Sequence, residues 1–334
     1  MRASSFKKIT VLGDGGWGTT LAILLYRKGL RVTLWSSFPD YARFLDRKRV
    51  NANFLKSVKI PRPIRITADL KEALASDLVI LAVPSQYLRK VLLKGAKFYN
   101  REKVPIVSVV KGIENTSLLT SSELISRLWR PPMMAVLSGP TIAQEVAHGI
   151  PTTAVISSRN RDFMRRIQDL FMTPGFRIYT NPDVMGVELG GSLKNVIAIA
   201  CGISDGLGFG TNTKAAIVSR GLAEMSRLGV AMGAKKETFS GLSGLGDLAT
   251  TCFNPLSRNH FVGEKIGKGF TLRQVIAHMK MVAEGVPTAK AAHGLGRKFK
   301  VELPIINEIY HVLFNNRSPK LAVKNLMLRQ KKAE

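Results

Sequence analysis

The sequence predicts an α/β domain built on a mostly parallel sheet, followed by an all-α domain. In the first half of this 334-residue chain, short apolar runs alternate with helix-like segments. That alternation is typical of a parallel sheet covered on both faces. Later in the chain, helical patterns broken by glycine loops follow one another. Since 334 residues exceed what one core usually holds, we expect one domain over residues 1–181 and a second over 182–334.

Each element has a local reason. The predicted strands are runs rich in β-branched residues, at 7–12, 31–35, 64–67, 77–84, 104–110, 133–138, 152–157 and 176–180. Helical segments between them are predicted at 69–75, 86–98, 118–129 and 162–171. The second domain is expected to begin at a helix start, because Pro182 suits a first turn and Asp183 suits the positive helix end. Further helices are predicted at 183–204, 211–228, 271–279, 288–298, 304–314 and 319–329.

A glycine loop separates the first predicted strand from the first helix. Gly13, Gly15 and Gly18 occupy its first, third and sixth places. In a strand-loop-helix unit, the first permits a tight turn, the second lets the backbone approach a pyrophosphate, and the third lets helix and strand pack closely. A plain strand-to-helix turn is the alternative. Because strand and helix patterns flank the motif, we interpret the first domain as a Rossmann-like dinucleotide-binding domain.

The residues after the second strand bear on the choice of dinucleotide. A site selective for NAD places Asp or Glu there, against the ribose hydroxyls. This chain has Ser36 and Ser37 instead, with Arg43 nearby. We therefore expect NADP to be tolerated or preferred, and the choice between NAD and NADP stays open. The alternative for Ser36 is an ordinary loop residue.

Charge and composition restrict the class of protein. The net charge of +27 favours anionic partners, but lysine and arginine are spread along the whole chain. Phosphorylated small molecules therefore suit the chain better than a specific nucleic acid. No run approaches eighteen uninterrupted apolar residues, so we expect a cytoplasmic protein that is not an integral membrane protein. Cys201 and Cys252 lack metal-site spacing; we expect buried thiols and no metal.

Two predicted strand ends carry residues suited to a ligand, because ligands bind beyond the carboxyl ends of parallel strands. Lys111 follows one strand, and Gly139 and Thr141 follow another. A lysine at such a position can hold a phosphate or polarise a carbonyl. An ordinary surface lysine is an equally good interpretation of Lys111 from position alone.

The second domain contributes a lysine in an apolar helix. Lys194 has apolar or small neighbours, and burial disfavours its charged form, which suits proton transfer. The alternative is a lysine whose stem packs beside a tight helix crossing.

A second segment of that domain is polar. Asp247 lies in a glycine-rich segment, and Ser257, Arg258 and Asn259 together suit a phosphate-bearing ligand. The alternative is a capping turn at Ser257–Asn259 and a helix N-cap at Asp247.

Taken together, these segments resemble the bacterial NAD(P)-dependent glycerol-3-phosphate dehydrogenases over nearly the full length. The resemblance rests on the segments 13–18, 107–114, 137–141, 188–195, 244–248 and 257–259. It implies reversible hydride transfer between NAD(P)H and dihydroxyacetone phosphate, which gives sn-glycerol 3-phosphate for phospholipid synthesis. It also implies a homodimer, which glycine-bearing helices in the second domain favour as well.

The resemblance also assigns roles to residues. Lys194 is implied as the proton donor and acceptor. Substrate contacts are implied for Lys111, Gly139, Thr141, Asp247, Ser257, Arg258 and Asn259. Cofactor contacts are implied for Gly16, Trp17, Lys111, Ala143, Arg258, Val282 and Glu284, in addition to Gly13, Gly15, Gly18 and Ser36 from the loop and second strand. One departure is Gly16, where the family commonly has serine.

Two other interpretations remain. One is a related dehydrogenase of the 3-hydroxyacyl or 6-phosphogluconate type, which would lack the pairing of Asp247 with Ser257–Asn259. The other is a protein that binds dinucleotides or polyanions without turnover.

Overall fold

A computed structural model describes residues 6–279 and 281–330 of the chain. These residues form two compact units. The first unit comprises the described residues up to Lys111 together with Leu119–Glu188. The second comprises Gly112–Leu118 and the described residues from Leu189 onward. The predicted domain boundary between residues 181 and 182 stays a prediction.

The first unit is built on a sheet that has eight strands within the described residues. Their order is β10-β9-β8-β7-β6-β1-β2-β5, and all neighbours are parallel except β8 and β9. A separate antiparallel pair joins β3 to β4. The strands are β1 (Lys8–Leu12), β2 (Arg31–Trp35), β3 (Val50–Asn51), β4 (Leu55–Lys59), β5 (Arg65–Thr67), β6 (Leu78–Leu81), β7 (Ile106–Ser108), β8 (Met134–Ser138), β9 (Thr152–Ser157) and β10 (Phe176–Asn181).

Helices pack on this sheet and leave two apolar clusters buried in the unit. The helices are α1 (Gly16–Arg27), α2 (Pro39–Lys48), α3 (Leu70–Leu74), α4 (Ser85–Gly95), α5 (Ser121–Leu128), α6 (Ala143–Ala147) and α7 (Arg161–Phe171). The predicted α/β class with a parallel-dominated sheet is confirmed. The β3–β4 hairpin was not among the predicted elements.

The second unit is helical in its described residues, as predicted. Its helices are α8 (Val184–Gly206, whose first residues belong to the first unit), α9 (Thr211–Ala231), α10 (Asp247–Phe253), α11 (Arg258–Gly267), α12 (Leu272–Ala277), α13 (Gly285–Lys298), α14 (Pro304–Phe314) and α15 (Pro319–Met327). A 3₁₀ segment (Lys236–Ser240) and a π-helical turn (Leu242–Gly246) precede α10.

Helix α8 alone, among the described residues, is long and apolar enough to cross a membrane. Its most apolar window is 89% buried, however, as in a helix at the core of a folded unit. Cys201 lies in α8 and Cys252 in α10, and both are free, buried thiols. The described residues contain no group of three His, Cys, Asp or Glu side chains suited to a metal ion.

Candidate active site

The glycine loop has the backbone geometry that a dinucleotide site needs. Gly13 has φ +124°, and a Cβ there would lie 2.6 Å from the Ala82 carbonyl oxygen. A Cβ at Gly18 would lie 2.0 Å from the Gly13 carbonyl oxygen, so strand and helix approach as only glycine permits. Around Gly15, no atom lies within 4 Å of the Cβ position. The backbone amides at the start of α1 thus border open space at Gly15, as an anion site at a helix N-terminus requires.

Gly16 and Ala143 lie side by side at this loop. A Cβ at Gly16 would lie 2.7 Å from the Phe54 carbonyl oxygen, at the turn between β3 and β4. The Ala143 Cβ is 3.6 Å from the same position, and Thr20 Oγ1 donates to the Ala143 carbonyl over 3.0 Å. The backbone of the hairpin therefore leaves no room for a side chain at position 16. Trp17 packs edge-on against Phe176.

Ser36 directly follows the second strand and is fully buried. Its Oγ accepts a hydrogen bond from Phe38 N over 3.2 Å. The glycine loop is tied to the same place, because Gly13 N donates to the Trp35 carbonyl over 3.0 Å. Ser36 is therefore part of a tight turn beside the loop, as well as a predicted cofactor contact.

Lys111, Gly139 and Thr141 meet at the ends of β7 and β8. Lys111 Nζ donates to the Gly139 carbonyl over 2.8 Å and to Thr141 Oγ1 over 3.2 Å. Gly139 has φ +129°, which favours glycine. Because the lysine is half-buried and bonded to both strand-end residues, it is not an ordinary surface lysine.

In the second unit, Lys194 is held between an anion and a hydroxyl. Its Nζ donates to Asp247 Oδ1 and, over 2.7 Å, to Thr251 Oγ1. Thr251 Oγ1 in turn donates to the Asp247 carbonyl over 2.6 Å. The side chains of Lys194 and Asp247 are only 8% and 1% exposed. From the sequence, only burial was expected to act on Lys194, and burial disfavours the charged form. In the structure, the carboxylate of Asp247 favours the charged, proton-donating form of the lysine.

The backbone around Asp247 explains how this pair forms. The π-helical turn Leu242–Gly246 leads directly into α10, so Asp247 is the first residue of that helix and Gly246 is its N-cap. The N-cap alternative for Asp247 is therefore wrong. A Cβ at Gly190 would lie 2.4 Å from the Ser243 carbonyl oxygen. The glycine in α8 thus lets the two segments approach closely.

The residues 257–259 each make a different contact within the second unit. Ser257 is the N-cap of α11 and accepts a hydrogen bond from His260 N, so the capping alternative holds for this side chain. Arg258 Nη1 donates to the Val282 carbonyl over 2.7 Å. Asn259 donates to Asn195 Oδ1 over 2.8 Å.

A buried amide pair extends from Asn259 to the start of α13. Asn259 Oδ1 accepts a hydrogen bond from Gly285 N over 2.9 Å, next to Glu284. A Cβ at Gly285 would lie 2.4 Å from the Asn195 carbonyl oxygen. The structure therefore brings the segments that carry Lys194, Arg258 and Glu284 into contact through Asn195 and Asn259.

The predicted site residues are thus divided between the two units. The first unit holds Gly13, Gly15, Gly16, Trp17, Gly18, Ser36, Lys111, Gly139, Thr141 and Ala143. The second holds Lys194, Asp247, Ser257, Arg258, Asn259, Val282 and Glu284. Sequence reasoning assigned no role to Thr251 or Asn195. Thr251 could have been found because it lies four residues after Asp247. Asn195 could have been found because it directly follows Lys194.

Comparisons with known proteins match the chain over nearly its whole length. The family model described as the N-terminus of NAD-dependent glycerol-3-phosphate dehydrogenase matches residues 8–164, and that of the C-terminus matches residues 183–324. A relative from Citrifermentans bemidjiense named glycerol-3-phosphate dehydrogenase [NAD(P)+] is 49% identical, over 98% of this chain and 99% of its own. One of the same name from Fusobacterium nucleatum is 47% identical, over 98% of each chain.

A solved structure has the same fold throughout. The crystal structure of glycerol-3-phosphate dehydrogenase from Coxiella burnetii superimposes with a TM-score of 0.93 and is 35% identical. The match covers 97% of this chain and 99% of that one.

Proposed function

The chain belongs to the family of NAD-dependent glycerol-3-phosphate dehydrogenases, and from that premise we propose that it reduces dihydroxyacetone phosphate to sn-glycerol 3-phosphate reversibly. The observation that carries the proposal is the buried contact of Lys194 with Asp247 and Thr251. It holds an ammonium group inside a mostly apolar helix, and this supports a role for Lys194 in proton transfer. A charged group is seldom buried there unless it has a partner and a use.

The first unit is assigned the dinucleotide. NAD(P)H supplies the hydride when it is bound. Gly15 and the backbone amides of the first turn of α1 would hold the pyrophosphate. Lys111 is assigned to substrate and cofactor through its position at the strand ends. Val282 and Glu284 are assigned to the cofactor by resemblance.

Lys194 is assigned the proton. In the direction of reduction, a hydride adds to C2 of the ketone and Lys194 Nζ gives a proton to the developing alkoxide oxygen. In the reverse direction the neutral amine takes that proton back. Asp247 and Thr251 hold the ammonium at fixed positions by two hydrogen bonds. Preorganised donors of this kind stabilise charge that develops on oxygen.

Arg258 is assigned the phosphate of the substrate. A guanidinium binds phosphate through paired, planar donors. The hydrogen bond to the Val282 carbonyl fixes one edge of that plane. Asn259 is assigned a substrate contact by resemblance, and its bonds to Asn195 and Gly285 fix its amide.

We also propose a cytoplasmic homodimer whose product serves phospholipid synthesis. The dimer is supported by the resemblance alone. The glycines of the second unit, which were expected to favour a dimer, instead let helices of the same chain pack closely. A Cβ at Gly202 would lie 2.0 Å from the His260 carbonyl oxygen, and one at Gly263 would lie 2.0 Å from that of Ile199. These glycines let α8 and α11 pack closely. Sedimentation of the purified protein at several concentrations tests the oligomeric state.

One assay tests the activity: the loss of NADH and of NADPH absorbance, measured in parallel with dihydroxyacetone phosphate. Unphosphorylated dihydroxyacetone is the matched control, and we expect it to react far more slowly. Binding of either dinucleotide without its oxidation would contradict the proposal and favour a protein that binds dinucleotides without turnover.

A further inference from the structure

The glycine loop carries a carboxylate at a position that bears on cofactor choice. Asp14 lies between Gly13 and Gly15, and its Oδ2 is buried with no hydrogen-bond partner in the described part of the chain. Burial raises the pKa of the Asp14 carboxyl, and a hydrogen bond from the Ser36 side chain opposes part of that rise. Buried polar atoms are nearly always satisfied in folded proteins, so an unpaired carboxylate oxygen indicates a missing donor.

Asp14 lies at the end of β2 even though it belongs to a different segment. The hydrogen bond from Gly13 N to the Trp35 carbonyl joins the loop to the last residue of that strand. Asn51 Nδ2 donates to the Asp14 carbonyl over 2.7 Å and so fixes the backbone there. In dinucleotide-binding domains, the carboxylate that accepts from the ribose hydroxyls stands at this end of the second strand. Here Ser36 occupies that position, and Asp14 reaches it from the loop.

We infer that Asp14 selects NAD(H) over NADP(H) by accepting hydrogen bonds from the adenosine ribose hydroxyls. The vicinal hydroxyls of NAD supply the donors that Oδ2 lacks. A 2′-phosphate would instead bring a second anion against a partly buried carboxylate, and like charges repel strongly in such surroundings.

The arginine that the sequence offers for a 2′-phosphate has an acidic neighbour. Arg43, which would favour a 2′-phosphate, forms an ion pair with Asp40 on the surface of α2. Both side chains are mostly exposed. The expectation that NADP is tolerated or preferred rested only on the residues after β2. With Asp14 taken into account, we expect NAD to bind more tightly than NADP.

The inference rests on the proposed function, because it assumes the dinucleotide site. Binding measurements on the full chain distinguish a failure of the inference from a failure of the proposed function. Titration calorimetry with NAD+ and with NADP+ gives an affinity ratio that needs no turnover. We expect NAD+ to bind about tenfold or more tightly. Asp14→Asn keeps the shape and removes the charge, and it should bring the two affinities close together. Asp14→Ala should do the same.

The control is Glu102→Gln, which removes an exposed carboxylate elsewhere in the first unit and should keep the wild-type ratio. A wild-type protein that binds NADP+ as tightly as NAD+ would overturn the inference without touching the proposed activity. An unchanged ratio in folded Asp14→Asn would overturn it as well. If neither dinucleotide binds, the proposed function fails together with it. The wild-type ratio decides the matter even if a variant does not fold.

Discussion

Lys194 and Asp247 form an ion pair inside the second unit, and almost none of either side chain reaches solvent. Taking two charges out of water costs several kcal/mol for each ion, and mutual attraction does not always repay that cost. A buried ion pair of this kind is therefore weak evidence that the two residues serve only to stabilise the fold. It is well suited to keep a lysine charged and aimed at one place until a substrate accepts its proton.

Thr251 tests how much the second contact of Lys194 contributes. Thr251→Val keeps the shape but removes the hydroxyl that accepts from Lys194 Nζ and donates to the Asp247 carbonyl. We expect kcat with dihydroxyacetone phosphate to fall about tenfold, because one hydrogen bond to a charged group is lost. Thr251→Ser should restore most of the rate. Equal rates for the Val and Ser variants would show that the hydroxyl does not position the lysine.

Arg258 tests the assignment of the phosphate. Arg258→Ala should raise the KM for dihydroxyacetone phosphate by about tenfold to a hundredfold, since a charge-assisted contact is removed. At saturating NADH, the rate with unphosphorylated dihydroxyacetone should change little, because that molecule has no phosphate for the guanidinium to bind. A KM that stays at the wild-type value would show that the phosphate is bound elsewhere.

Gly16 tests the steric effect of the β3–β4 hairpin on the glycine loop. Gly16→Ser would place a Cβ 2.7 Å from the Phe54 carbonyl oxygen, which cannot move away without shifting the β3–β4 turn. We expect a loss of about 1–3 kcal/mol in unfolding free energy and weaker NADH binding. The matched control is Gly210→Ser, where nothing lies within 4 Å and serine suits the N-cap of α9. If both variants unfold at the same denaturant concentration, the steric explanation is wrong.

The titration of Glu224 is expected to make the free energy of unfolding depend on pH. Its carboxylate accepts hydrogen bonds from Ile305 N and Ile306 N, yet burial raises its pKa from 4.5 to about 7. The folded state therefore holds the proton more tightly than the unfolded state, and the unfolding free energy falls as pH rises from 4.5 to 7. The fall attributable to this group is at most about 3 kcal/mol.

Glu224→Gln removes that titration. Urea unfolding across this pH range should therefore give a flatter curve for the variant than for the wild type. Two curves of the same slope would show that Glu224 has the same proton affinity in both states.

The sequence predicted what depends on local pattern. The glycine loop is recognisable because strand, turn and helix are consecutive, and the end positions of Lys111 and Thr141 follow from parallel strands. The β3–β4 hairpin was missed because Val50–Asn51 is too short to show alternation. Its carbonyl at Phe54 is nevertheless what requires glycine at position 16.

Contacts between distant segments could not be predicted in the same way. No spacing rule links Asp14 to Ser36, because their proximity depends on how β1 and β2 pair. The partners of Lys194 depend likewise on a π-helical turn that brings Asp247 and Thr251 to α8. The sequence predicts the chemical type of each group, whereas its charge state and partners come from packing.

The most direct test of the account is the turnover of Lys194→Ala compared with its dinucleotide binding. We expect kcat for dihydroxyacetone phosphate to fall by about a factor of 10²–10⁴ or more, because the proton donor is gone. NADH affinity should change little, since the glycine loop belongs to the other unit. Lys268→Ala, which removes a lysine paired with Glu264 on the surface of the second unit, is the control and should keep the wild-type rate. A folded Lys194→Ala protein that turns over at a near-normal rate would contradict the account.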